Sequence, residues 1–347
     1  MAEDLVHALQ RLADESRPIA VASLTALSDM PRRQAEVFRA AWTTSSPRRR
    51  LELVRALVEA AEANIHFNFY AILREVLRDP DPQVRTLAIH GLWEDDRPSL
   101  VEPLAALASD DPVPEVRAAA AMSLGRFVLL GALGEIAEAP AGRAEQALRS
   151  AWHRAGEAVE VRRRALEGLA YADAGDVREL IHMAYYDEDA LLQQSAMLAM
   201  GRTADRYWAR FVLEELASAE LAMRREAAVA AGELALAAAV PSLIRLLNDA
   251  DGEVRRAATA ALGEIGGAAA RRALQQAERD ADPDQARAAG EALQVLEFNS
   301  GGVSDSMFDF NLQHAGADEQ EDGDSDGAAD GEIYDYDQDA VDWLDDE

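Results

Sequence analysis

Residues 240–267, VPSLIRLLNDADGEVRRAATAALGEIGG, decide the fold. An amphipathic run, Val240-Pro241-Ser242-Leu243-Ile244-Arg245-Leu246-Leu247, leads into an acidic turn and then into a second run with Ala258 and Leu262 on one helical face. The unit is helix, short acidic turn, helix.

The same pattern recurs along the chain at anchors 85, 117, 162, 193, 224, 255 and 286, with successive spacings of 32, 45, 31, 31, 31 and 31 residues. A fixed period in this range marks stacked units, each too small to bury its own apolar face. Three residues after every anchor stands alanine: Ala88, Ala120, Ala165, Ala196, Ala227, Ala258 and Ala289. Small side chains at one helical position let neighbouring helices approach closely, so they mark the contact line. Leu92, Leu124, Leu169, Met200, Ala231, Leu262 and Leu293 lie one turn further along the same face. Turns such as Asp79-Pro80-Asp81-Pro82 supply N-caps and early-helix prolines. The 45-residue interval is expected to hold a loop or a short extra helix around residues 129–142. Helices near 4–13, 18–28, 31–44 and 47–63 do not fit the register, which suggests degenerate capping repeats.

The repeat resembles the HEAT repeat, and more narrowly the short bacterial variety found also in phycobilisome lyases. That resemblance implies an all-α architecture: an α-solenoid, a right-handed superhelix of HEAT-type hairpins. The domains expected are a cap over residues 1–66, the solenoid over 67–298 and a disordered acidic tail over 299–347. The resemblance also implies that the Asp turn and Arg anchor, present at Asp81/Arg85 and Asp251/Arg255, form a ladder between repeats, weakened at Gln193 and lost at Ala286. Arg85, Arg117, Arg162, Arg224 and Arg255 are therefore read as structural.

Composition narrows the function. The chain has 347 residues, no cysteine and no lysine, so all 34 basic residues are arginine, and thiolate chemistry and disulfides are excluded. The net charge is −30, but residues 305–347 carry 17 acids and no base, leaving the remainder 47 acids against 34 arginines, a net −13. Such a field repels DNA and anionic membranes. No apolar stretch is long enough to span a bilayer, and the acidic amino terminus lacks the basic start of a signal peptide, so a cytoplasmic protein is expected.

None of the six histidines is followed by glutamate, whereas HEAT-fold deoxyhypusine hydroxylases carry repeated His-Glu pairs that bind iron. No metal, no cofactor and no catalytic residue is expected. HEAT-like proteins that excise alkylated bases use a basic concave surface with aromatics. Arg48-Arg49-Arg50, Arg162-Arg163-Arg164, Trp152, Tyr207 and Trp208 imitate pieces of it, but the net charge argues against nucleic acid.

The position after the anchor is projected onto the concave surface: Arg163, Gln194, Arg225, Arg256 and Arg287, near Glu167, Glu233 and Glu264. This mixed-charge ribbon is a candidate partner-binding groove; its bland alternative is a solvated face with pairs worth tenths of a kcal/mol. The tail holds two apolar islands, with Phe308, Phe310 and Leu312 in one and Tyr334, Tyr336, Trp343 and Leu344 in the other. Acidic segments with spaced aromatics read as docking motifs. The expectation is a protein-binding scaffold with a docking or autoinhibitory tail. An alternative, implied by the lyase resemblance alone, is an enzyme that attaches or removes a tetrapyrrole.

Overall fold

The computed structural model describes residues 2–172, 175–279 and 282–299, and every regular element there is helical. The α-helices alternate as first and second members of hairpins: α1 (Ala2–Ala13) with α2 (Val21–Leu24), α3 (Ala35–Thr44) with α4 (Pro47–Ala63), and α5 (Tyr70–Val76) with α6 (Pro82–Gly91). They continue as α7 (Val101–Asp110) with α8 (Pro114–Ala132), α9 (Glu138–His153) with α10 (Val159–Leu169), and α11 (Val177–Tyr185) with α12 (Ala190–Arg202). The last are α13 (Ala209–Glu215) with α14 (Leu221–Glu233), α15 (Val240–Leu246) with α16 (Gly252–Ile265), and α17 (Gly267–Ala277) with α18 (Pro283–Asn299). From α4 to α18 each second helix packs on the next, building one continuous layer, while the first helices lie mainly against their own partners, except α9, which packs most closely on α8. This is an α-solenoid. The tail candidates from Phe308 to Leu344 lie outside the described residues.

The turns fold as their chemistry dictates. Asp81, Asp189 and Asp251 accept hydrogen bonds at 2.8 Å from the backbone N–H groups of Gln83, Leu191 and Glu253, satisfying helix-start donors that would otherwise lack partners. Pro47, Pro82, Pro114 and Pro283 occupy the first helical position, where no N–H is needed. All seven seam alanines are fully buried, and of the partners one turn further only Leu293, on the last helix, is partly open.

Two expectations are corrected. The extra residues between anchors 117 and 162 form neither a loop nor an added helix. They lengthen α8 to 19 residues and α9 to 16, leaving a turn at 133–137. Pro140 sits in the first turn of α9, where a proline is tolerated. The ladder, too, uses the capping aspartate only in its last rung, Arg255 to Asp282, which accepts from the Asp284 N–H. Each anchor arginine reaches the acid at the turn of the next hairpin, usually two residues before that hairpin's cap. The pairs are Arg85–Asp111 at 2.7 Å, Arg117–Glu157 at 2.5 Å, Arg162–Asp187 at 3.7 Å, Arg224–Asp249 at 2.9 Å and Arg255–Asp282 at 3.5 Å. Arg117–Glu157 spans the lengthened hairpin, so the ladder is unbroken there. Gln193 makes no such reach but keeps the other half of the anchor's work: its Nε2 donates to Asp187 O at 2.8 Å, as Arg85 donates to Asp79 O at 2.7 Å.

The arginine cluster at 48–50 acquires a cause. Arg48 pairs with Glu52 at 2.8 Å; buried Arg49 donates to Leu12 O at 2.6 Å and Arg17 O at 3.0 Å; Arg50 reaches buried Asp79 at 3.3 Å. Arg50 stands four residues after the cap Ser46, as Arg85 does after Asp81, so the ladder begins one hairpin earlier than the alanine register shows. Buried Leu53 takes the alanine's place in α4.

Candidate partner-binding groove

The positions projected onto the concave ribbon are mostly engaged with close neighbours. Arg163 donates to Ser195 Oγ at 2.9 Å and to Glu160 at 2.8 Å, and lies 3.9 Å from Glu167. Glu167 is buried, accepting from Ser195 Oγ at 2.6 Å and from Arg164 at 2.8 Å. Arg225 pairs with Glu226 at 2.5 Å, and Arg256 with Glu253. Gln194 is half-buried. The structure thus gathers Arg163, Glu167 and Ser195 into one network, while Arg225 and Arg256 each pair within their own helix.

Glu233 and Glu264 are placed differently. Each residue is exposed as a whole, yet its carboxylate folds back over a glycine of the preceding second helix: a Cβ on Gly201 would stand 2.2 Å from Glu233 Oε2, and one on Gly232 2.1 Å from Glu264 Oε2. Burial against that backbone pushes Glu233 up to about 7, with Arg202 partly offsetting it and Glu264 and Glu226 adding to it. Burial also raises Glu264. Because the folded value of Glu233 lies above its unfolded value, the folded chain holds the extra proton between roughly pH 4.5 and 7. This contribution to stability is present at the low end of that window and is lost as the pH rises through 7. The melting temperature of the parent should therefore fall more between pH 5 and pH 8 than that of Glu233→Gln, measured by circular dichroism in one buffer series. Parallel curves would contradict this.

A groove that the ribbon does not foresee lies toward the carboxyl ends of the second helices α4 to α12. Its larger compartment, a cavity of about 550 Å³, is walled by Val58, Ile65, Phe67, Tyr70, Trp93 and Met122, with Glu62, Glu94 and His90 at its edge. Ile65 is 91% exposed and Trp93 40%, which is unusual for large apolar side chains in one patch. A smaller compartment of about 200 Å³ shares Trp93 and Met122 and adds Arg126, Arg164, Tyr171 and Arg202, over a floor made by Gly125 and Gly168. The three arginines come from three successive second helices. Arg126 lies over Trp93, 5.7 Å from the ring centroid, and donates to Asp95 O at 2.9 Å. Arg164 is held by Glu160 and Glu167, both at 2.8 Å. Arg202, half-buried, donates to Glu167 O at 3.0 Å and lies 5.4 Å from the Tyr171 ring centroid; among the described residues no carboxylate forms an ion pair with it.

The aromatic candidates outside this groove are Trp152, Tyr207 and Trp208. Trp152 and Trp208 are buried, with Arg162 4.7 Å from the Trp152 ring centroid, and Tyr207 OH is 2.8 Å from His182 Nε2. Among the described residues no group of three or more His, Asp or Glu could hold a metal, and no helix is long and apolar enough to cross a membrane.

The fold is an α-solenoid with an open groove on its second-helix layer. The model of the family HEAT repeats matches its hairpins over residues 70–151 and 209–294. None of the curated proteins matches the chain. Among solved structures it is similar to yeast importin-beta, with 14% identity over 84% of this chain and 46% of that one, at a TM-score of 0.51. It is similar also to the complex of CpcE and CpcF of phycocyanin lyase from Nostoc, with 19% identity, 81% and 98% coverage, and a TM-score of 0.48. Human deoxyhypusine hydroxylase shares 22% identity over 86% of this chain and 97% of that one, at a TM-score of 0.35. Identities this low bear on fold alone, and the chain spans under half of the importin.

Proposed function

We propose that the chain is a non-catalytic scaffold that holds a protein partner on the concave, second-helix face of its solenoid. The observation that carries this reading is the groove itself: large apolar side chains left open beside a half-buried arginine that forms no ion pair among the described residues. Arg163, Glu167, Gln194, Arg225, Glu233, Arg256 and Glu264 continue that face and would form its polar margin. The acidic tail, through Phe308, Phe310, Leu312, Tyr334, Tyr336, Trp343 and Leu344, serves as a docking segment or as an intramolecular competitor of acidic partners, acting at high effective concentration.

The test uses the full chain and a form lacking residues 299–347 as cross-linked baits at low and high salt, with mass spectrometry of what is retained. A common set of retained proteins, held with different salt dependence by the two forms, is expected. A set no different from that on an unrelated acidic bait would overturn the scaffold reading. Identical salt dependence would remove the tail's part.

A further inference from the structure

The groove is bipolar, and this restricts what fits it. At one end Ile65, Phe67 and Trp93 offer an apolar cavity of about 550 Å³, roomy enough for a large side chain. At the other end, across the shared Trp93 and Met122, Arg126, Arg164 and Arg202 line a narrower compartment with Glu167 as the one acid, itself bound to Ser195 and Arg164. In a chain of net charge −30, three of the side chains lining this compartment are cations and one is an acid. Arg126 and Arg164 already have carboxylate partners in Asp96 and in Glu160 and Glu167. Arg202 holds a main-chain oxygen and a tyrosine face and forms no ion pair among the described residues, feeling the Glu233 carboxylate only through space. A half-buried guanidinium so placed gains most from a carboxylate that arrives with the ligand. Glu62 and Glu94, which line the larger compartment, repel an acid there, so a carboxylate is directed toward Arg164 and Arg202.

We infer that this groove seats a partner polypeptide segment in which a large apolar side chain, entering between Trp93 and Ile65, stands next to a carboxylate that pairs with Arg202. The inference deepens the scaffold reading and rests on it. Apolar burial supplies the affinity, and the Arg202 pair selects acidic segments over neutral ones.

The test measures binding of a fluorescein-labelled peptide carrying one tryptophan followed by two aspartates to the full chain, by anisotropy at low and physiological salt. Counterpart peptides carry asparagine for aspartate, or alanine for tryptophan. Trp93→Ala and Ile65→Asp alter exposed side chains, and Arg202→Gln keeps a donor for Glu167 O, so circular dichroism should show each folded. Each variant should weaken the acidic peptide about tenfold, about 1.4 kcal/mol, whereas Arg143→Gln, an exposed arginine of α9 outside the groove, should not. The decisive reading is the cycle: the asparagine peptide should lose about tenfold on the parent and almost nothing on Arg202→Gln, a coupling that general loosening of the fold would not produce. Equal binding of the three peptides to the parent, or additive losses in the cycle, would overturn the inference. If the groove variants keep every protein retained by the full-chain bait while Arg225→Glu with Arg256→Glu loses them, the groove is wrong and the scaffold reading stands.

Discussion

Arg85→Met should cost about 3–5 kcal/mol of stability, because it leaves a buried carboxylate without its counter-ion. The Arg85 and Asp111 side chains are 9% and 3% exposed and meet through two hydrogen bonds, Nε to Oδ2 at 2.7 Å and Nη2 to Oδ1 at 2.8 Å. The third arm of the guanidinium donates to the carbonyls of Asp79 and Pro80 at 2.7 and 3.1 Å, tying its own turn to the next. Methionine keeps the stem's packing and removes all four bonds. Asp111 then retains only the Val113 N–H at 3.0 Å. The double variant Arg85→Met with Asp111→Asn should recover much of the loss, since asparagine can still accept from Val113 without a buried charge. Contacts in a solenoid run only to neighbours, so hydrogen exchange should quicken at α5 to α8 and leave α14 to α18 nearly unchanged. A uniform change along the chain, or a cost under about 1 kcal/mol by urea titration, would refute the role assigned to the ladder.

That ladder shows how far the sequence could be read. Seven alanines at one helical position are a one-dimensional signal, and their complete burial follows because the seam is a property of each helix by itself. The Arg50 hairpin escaped the register because Leu53 replaces the alanine and the step to Arg85 is 35 residues. The signal that would have found it is the serine cap four residues before an arginine, seen in α4 and shared in its spacing by α6. The groove was hidden for a different reason. Trp93 lies eight residues past its anchor, and Arg126, Tyr171 and Arg202 lie nine past theirs, positions that carry no common residue type. They become one site only when four helices stack. The ribbon one residue past the anchors was visible, but its arginines have acids three residues before them in Glu160 and Glu253. Local pairs of that spacing form within one helix and compete with any partner.

The same substitution should have opposite signs at two glycines. In α10, a Cβ on Gly168 would stand 2.8 Å from Gly125 Cα and 2.8 Å from Leu148 Cδ1. Leu148 can change rotamer, but the backbone of α8 cannot move away without separating two second helices. The gain in helix propensity from Gly→Ala, about 1 kcal/mol, therefore meets an overpacking cost of about 1–3 kcal/mol. Gly168→Ala should be destabilising by about 1–2 kcal/mol, the costlier end of that balance. In α9, Gly142 is exposed and a Cβ there meets no atom within 4 Å, so Gly142→Ala should stabilise by about 0.5–1 kcal/mol on propensity alone. Urea midpoints of the two variants, measured with the parent in one series, test the pair. A rise for both would mean that α8 and α10 do not touch at their backbones. The consequence extends to the groove, because Gly125 and Gly168 form its floor between Met122 and Tyr171. Spreading α8 from α10 moves Arg126 relative to Arg164 and Arg202, so Gly168→Ala should weaken the acidic peptide as well, whereas Gly142→Ala should leave its binding unchanged.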